Sequence, residues 1–533
     1  MKKFFKILLY ILAGIILLLA VTYLFFFIKW KKASSENMAL LGPEAPVITV
    51  EGHTFRDLNK NGQLDIYEDS RQTVDARVED LISRMNQEEK AGMLFFHMMV
   101  MDEDGSPSEI PSFSNPFSLV LESPSSQIAR KGMNHFNVLE APSAEAMIKW
   151  NNELQKMAER TRLGIPITVG SDPRHGKGMN IGTAISTRFF SRWPSPLGLA
   201  ATRDSALVHE FADIARQEYL AVGIRVALHP MADLATEPRW ARVNGTFGED
   251  AYLSAKLTGA YVLGFQGESL TNNSVACMTK HFSGGGPQED GWDAHFASGP
   301  GQVYPGNNFD YHLIHFTEGA FPAGTAMIMP YYGIPKGQTS EDVGFAFNKD
   351  IITGLLRDSL GFDGVVCTDW AIVTDMFIKE AAAWGVEHLS EKERVKKIFD
   401  AGCDMIGGDS RTDLVLELLN EGGLTESRID ESVKRILKSK FILGIFDNPY
   451  LDDNQLSVFK NQTFKEKGKE AQRKSMVLLK NENDLLPLNK GIKVYSLGID
   501  KEILSEYAKV VKTPEDADLI IHKLATPTSP PPK

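Results

Sequence analysis

The decapeptide GFDGVVCTDW, Gly361–Trp370, holds the residues best placed to do chemistry. Val365-Val366-Cys367 is a β-branched apolar run with the length of a buried strand, and it ends in Thr368-Asp369-Trp370. Barrels of parallel strands carry their reactive groups at the C-terminal strand ends. A carboxylate held there can meet an anomeric carbon while the neighbouring indole packs on the apolar face of a pyranose ring. An aspartate after a strand is also a common helix N-cap, so the other strand ends have to decide between the two.

Those ends come from a regular alternation. IPITVG (165–170), IRVALHP (224–230), VACMTKHF (275–282), TAMIMPYY (325–332), VVCTDW (365–370) and CDMIG (403–407) read as strands. SALVHEFADIARQEYLAVG and DAYLSAKLTGAYVLGFQG read as helices between them, and ARVEDLISRMNQEEKAGMLF as one amphipathic helix leading into a strand. This pattern predicts an α/β chain built on a (β/α)8-type barrel over residues 76–455, closed by a helix over 426–444. Asp172 and His175 follow one strand; Arg239, Trp240 and Arg242 follow the next; Lys280 and His281 follow the third. Singly, each has a structural alternative as a cap, a loop bridge or a satisfied core histidine. Converging on one barrel mouth, the Arg and Lys side chains beside Asp and His would donate charge-assisted hydrogen bonds to vicinal hydroxyls.

Residues outside the barrel pattern carry their own signals. Ile7 to Ile28 has no charge and no proline, is flanked by Lys2, Lys3 and Lys6 and by Lys29, Lys31 and Lys32, and as a helix spans a bilayer core of ~30 Å. Residues 1–32 are therefore expected to be a membrane anchor, with a secreted protein after signal cleavage as the alternative. Lysines on both flanks leave the orientation open. The segment 33–75 is read as a linker with a candidate calcium loop. In DLNKNGQLDIYE, Asp57, Asn59, Asn61, Gln63, Asp65 and Glu68 occupy the ligand positions of a D-x-N-x-N-G-x5-E pattern, with Gly62 at the turn. A metal-free cluster of Asx turns is the other reading. A net charge of −12 excludes a strongly basic nucleic-acid-binding face. Three separated cysteines do not form a disulfide framework. From residue 466 a helix, the strand-like MVLL, and two further strands, IKVYSLGI and ADLIIHKLA, precede the proline-rich tail 526–533.

The chain resembles family 3 glycoside hydrolases, the β-glucosidase-like group. The resemblance is carried in order by DLNKNGQLDIYED, LISRMNQEEKAGML, GIPITVGSDPRHG, EPRWAR with TFGEDAYLSAKLTGAYVLGFQG, VACMTKHFSGGG, LGFDGVVCTDW, AGCDMI, ESVKRILKSKFILGIFDNPY and SMVLLKNENDLLPL. It implies Asp369 as catalytic nucleophile and Asp172, Arg242, Lys280 and His281 as sugar-binding residues, with Tyr332 and Trp370 lining the substrate site. It also implies that 466–533 is the start of an α/β sandwich domain, incomplete here, which in many members supplies a glutamate as acid/base. One branch, the N-acetylglucosaminidases, uses a histidine–aspartate pair after K-H-F instead. Asp293-Ala294-His295 lies in that loop, two residues later than in that branch, and Gly285 stands where the branch has a histidine. His295, with Asp293 as partner, is thus the visible candidate acid/base. The expected function is a retaining, exo-acting β-glycoside hydrolase, β-glucosidase foremost, acting outside the cytoplasm on an oligosaccharide or β-glycoside without an organic cofactor. The alternatives are a β-N-acetylhexosaminidase or β-xylosidase of the same fold, or an inactive sugar-binding protein.

Overall fold

The computed structural model describes the chain except residues 1, 113–114, 177–184, 186–187, 376–379, 490 and 525–533, so the tail 526–533 lies outside it. It has two compact units, Met1–Ser475 and Met476–Lys533.

In the first unit eight parallel strands close into a barrel: β1 (Phe95–Met99), β2 (His135–Val138), β3 (Thr168–Ser171), β4 (Ile224–Ala227), β5 (Ala276–Phe282), β6 (Met327–Pro330), β7 (Val365–Trp370) and β8 (Met405–Gly407). Each pairs with its neighbour in sequence, and β8 closes on β1 through Ile406–Phe95 and Gly407–Phe96. Strand residues such as Val169, Ile224, Cys277, Ile328 and Val366 are fully buried because helices cover the outside and side chains fill the inside. Phe96 occupies that interior. A Cβ at Gly170 would stand 2.4 Å from its Cζ, so the glycine makes room for the ring. The Phe96 ring in turn lies 5.7 Å from that of Trp370 and supports it from within the barrel.

Local sequence sets where helices begin. The expected single helix over ARVEDLISRMNQEEKAGMLF is two, Val74–Arg84 and Gln87–Met93. Met85 is extended, and Asn86 with Glu89 forms a capping box that starts the second helix. Asp250 caps Ala251–Gln266, which packs closely on Ser205–Leu220: a Cβ at Gly264 would lie 2.5 Å from that of Ala212.

The N-terminal helix runs from Lys2 to Met38, beyond the apolar run, and its apolar side chains are exposed. Its C-terminal end is keyed to the barrel unit: Arg130 Nε donates to Asn37 Oδ1 at 2.8 Å and Ser34 Oγ to Glu109 Oε2 at 2.8 Å. The segment after it is a hairpin, Val47–Val50 with His53–Arg56, followed by the Asp57–Glu68 loop.

The second unit begins later than residue 466. Helix Gln462–Lys474 belongs with the barrel, and Met476–Lys480 forms no strand. Within the second unit Lys493–Leu497 pairs in parallel with Lys509–Val510 and Leu519–His522 over a small core of Val494, Leu504 and Ala508.

Candidate active site

The C-terminal ends of the barrel strands surround a cavity of about 1460 Å³, above the ~300–1,000 Å³ usual for small-molecule pockets. Asp172, Arg242, Lys280, His281, Asp293, His295, Tyr332, Asp369 and Trp370 all line it. The expected site residues therefore meet, although they come from four strand ends and two loops.

Asp369 is the penultimate residue of β7 and is 8% exposed. Its Oδ1 accepts the Trp370 backbone N–H at 2.8 Å. Its Oδ2 is buried, makes no hydrogen bond of regular geometry among the described residues and lies 3.5 Å from His281 Nε2, while the Tyr332 hydroxyl lies beside the same carboxylate. Burial works to raise its pKa, but His281, His295 and Lys280 prevail and hold the carboxyl below its ordinary range. The carboxylate is thus charged, desolvated and only partly neutralised by hydrogen bonds, the condition of an activated nucleophile. Tyr332 donates its hydroxyl to Trp370 O at 2.7 Å and fixes the strand end. Gly407 and Gly408 let the indole lie on the β8 backbone; a Cβ at Gly408 would be 2.5 Å from Trp370 Cδ1.

On the opposite side Lys280 Nζ donates to Asp172 Oδ1 at 3.0 Å, and Asn137 Nδ2 to Oδ2 at 3.1 Å. A carboxylate and ammonium so paired present both acceptors and donors to vicinal hydroxyls. Arg242 does not join this pair. Its guanidinium, held protonated against burial by Tyr331, Asp293, Asp233 and Asp369, faces the carboxylates across the cavity, and Nη1 has no partner among the described residues.

The loop after β5 brings in the third group. His295 Nδ1 is 2.5 Å from Asp293 Oδ1, and Trp240 Nε1 holds the other carboxylate oxygen at 2.7 Å. Against burial, His295 and Arg242 hold the Asp293 carboxyl well below its usual range. The His295 ring stands edge-on to Tyr332, with centroids 4.5 Å apart, and is 30% exposed towards the cavity. His175, by contrast, is buried in a structural pair with Glu218 at 2.6 Å.

Two functional positions escaped the sequence. Asn137 sits on β2, whose HFNV run is too short to stand out. Asp233, buried in the loop after β4, bonds His281 Nδ1 through Oδ2 at 2.6 Å, and nothing in its local sequence separates it from any loop aspartate.

Away from the cavity the Asp57–Glu68 residues also gather, closed by their own hydrogen bonds. Asp57 accepts the N–H groups of Asn61 and Gly62, Glu68 those of Asn59 and Asp65, and Asp65 pairs with Arg84 at 2.8 Å.

A parallel barrel with a desolvated carboxylate at β7 and sugar-type hydrogen-bonding groups at β3 and β5 defines a barrel glycoside hydrolase. Residues 129–439 match the glycosyl hydrolase family 3 N-terminal domain. The chain is 47% identical over 488 residues to β-glucosidase C of Emericella nidulans, covering 89% of this chain and 76% of that one. It is 41% identical over 525 residues to a periplasmic β-glucosidase/β-xylosidase of Dickeya chrysanthemi, covering 94% and 79%. The β-glucosidase of Listeria innocua in complex with isofagomine superposes with a TM-score of 0.67 at 25% identity, covering 84% of this chain and 63% of that one. The chain belongs to glycoside hydrolase family 3.

Proposed function

We propose that the protein is a retaining, exo-acting β-glucosidase, anchored in a membrane by its N-terminal helix with the barrel outside the cytoplasm. The observation that carries the reaction is the convergence of Asp369 and the Asp293–His295 pair on one cavity. Asp369 attacks the anomeric carbon as His295 gives the proton on Nε2 to the leaving oxygen, and a covalent glycosyl-enzyme forms. His295 then takes a proton from the water that attacks the same carbon and releases Asp369. Asp293 holds the ring through Nδ1, while Asp172, Lys280 and Arg242 bind glycone hydroxyls. The β-glucosidase names of the fungal and bacterial relatives support glucose as the sugar, and the periplasmic Dickeya relative supports the location. Xylose is the second reading, because the Dickeya relative's name joins both sugars. We also propose calcium for the Asp57–Glu68 loop. Its donor set is all oxygen once the Asn59 and Asn61 amides turn, and burial pushes the Glu68 carboxyl up, a cost that a cation would offset.

The test uses a 2-fluoro-glucoside and nitrophenyl β-glucoside, β-xyloside and β-N-acetylglucosaminide. Label is expected on Asp369, with turnover of the glucoside falling ~10²–10⁴-fold in His295→Ala. Absence of label overturns the enzyme reading in favour of a sugar binder. Activity confined to the N-acetylglucosaminide, and lost in His295→Ala, overturns the glucosidase reading.

A further inference from the structure

The reaction above makes no use of Asp233, yet this carboxylate is the most enclosed group of the site, at 0% exposure. Its Oδ2 faces His281 Nδ1 at 2.6 Å, and its Oδ1 takes the backbone N–H groups of His281 and Gly285. The glycine run Gly284–Gly286 is shaped around it. A Cβ at Gly285 would lie 2.9 Å from Asp233 Oδ1, and one at Gly286 would lie 1.7 Å from Leu234 O. Burial alone would raise the Asp233 pKa, but His281 and the Gly285 N–H hold it down, so it is an ionised acceptor.

An ionised carboxylate 2.6 Å from Nδ1 requires a proton on that nitrogen. The groups facing the ring are Asp233, Asp369, the Arg242 guanidinium and the Tyr331 ring, whose centroid is 4.8 Å away. Burial outweighs the carboxylates and keeps the His281 pKa below its ordinary value. A neutral imidazole with Nδ1–H has a bare lone pair at Nε2, the atom 3.5 Å from Oδ2 of Asp369.

We infer that Asp233 is a positioning residue that locks His281 in the Nδ1–H tautomer, so that Nε2 stands beside the nucleophile as an acceptor and does not cap Asp369 Oδ2. In the opposite tautomer Nε2–H would donate to Asp369 Oδ2, stabilise its charge and blunt its attack. The inference rests on Asp369 acting as nucleophile, as proposed above.

The test is made on the full chain with ¹⁵N-labelled histidine, assigning His281 by the signal lost in His281→Gln. Two-bond correlation spectra of the wild type are expected to show His281 protonated at Nδ1 and bare at Nε2. In Asp233→Asn the amide donates to Nδ1 instead, and the tautomer flips. The rate of labelling by the 2-fluoro-glucoside is then expected to fall on the order of 10²–10⁴-fold, the scale of a wrong-tautomer histidine, with the binding constant changed only a few-fold. A wild-type ring carrying its proton on Nε2, or on both nitrogens at neutral pH, overturns the inference. So does an Asn variant that flips the ring yet labels at the wild-type rate. If Asp233→Asn does not fold, the wild-type spectrum decides by itself. A wild type that never labels sinks the nucleophile reading instead, and the ring spectrum still settles the tautomer.

Discussion

Asp369 shows how a buried acid stays charged at the bottom of a cavity. Burial favours the neutral form, while His281, His295, Lys280 and the Trp370 N–H around it favour the anion and prevail. Its pKa therefore lies below the ordinary carboxylate value, and kcat/KM should stay level on the acid side until pH falls beneath the usual carboxylate range. Removing the Lys280 ammonium reverses part of the shift. Lys280→Met should move the acid limb to higher pH, and it should lower kcat/KM on the order of tenfold or more, because the charge-assisted bond to Asp172 goes with it. A pH profile of wild type and variant checks both effects. An acid limb that stays in place shows that Lys280 does not reach the nucleophile electrostatically. The motif around Asp369 was legible in the sequence because strand, carboxylate and indole are contiguous. Asp233 was not, because its meaning comes entirely from His281, which the chain supplies almost fifty residues later.

At the level of elements the same distinction holds. The six long apolar runs are all barrel strands, since burial on both faces writes itself as unbroken hydrophobicity. The strand expected after the first helix is β1, but β2 reads only HFNV, so the sequence placed most of the barrel without completing its ring. MVLL had the composition of a strand, yet Met476 and Leu479 are 81% and 92% exposed and the segment pairs with nothing among the described residues. Apolar content gives a segment the tendency, but pairing decides. The Asp57–Glu68 loop poses that question for a metal. Its pattern was legible, whereas its cation was not: Arg84 already neutralises Asp65, and backbone N–H groups fill Asp57 and Glu68. If calcium completes the loop, a chelator should lower the melting temperature by several degrees, and Glu68→Ala should remove that response by deleting the bidentate ligand. Melting curves that coincide with and without chelator would leave Arg84 as the loop's own counter-charge.

Across the barrel unit, burial has been applied to histidines as freely as to apolar side chains, and this sets how the whole fold answers to acid. His135, His229, His312 and His315 are all enclosed, and burial pushes their pKa values down, to about 4 for His312 and about 3 for His315. None of the four ring nitrogens of His312 and His315 has a hydrogen-bond partner among the described residues. The unfolded chain takes up protons at such residues near the ordinary histidine value of ~6.5, while the folded chain refuses them until far lower pH. The unfolded state therefore binds more protons between about pH 6.5 and 4, and stability must fall as pH falls through that window. Each such histidine contributes about 1.4 kcal/mol per pH unit. Carboxylates held below their ordinary range, such as Asp293, add to the loss only further down, once pH falls below their unfolded values near 4. Acid destabilisation should thus begin well above the carboxylate range. Urea midpoints measured at pH 7, 6 and 5 should drop steadily, and His315→Phe, which keeps a buried ring but removes its protonation, should reduce the slope by about one histidine's share. An unchanged slope in that variant would mean that His315 is protonated in the folded chain and that its ring nitrogens find partners, overturning the reading of this buried cluster as neutral.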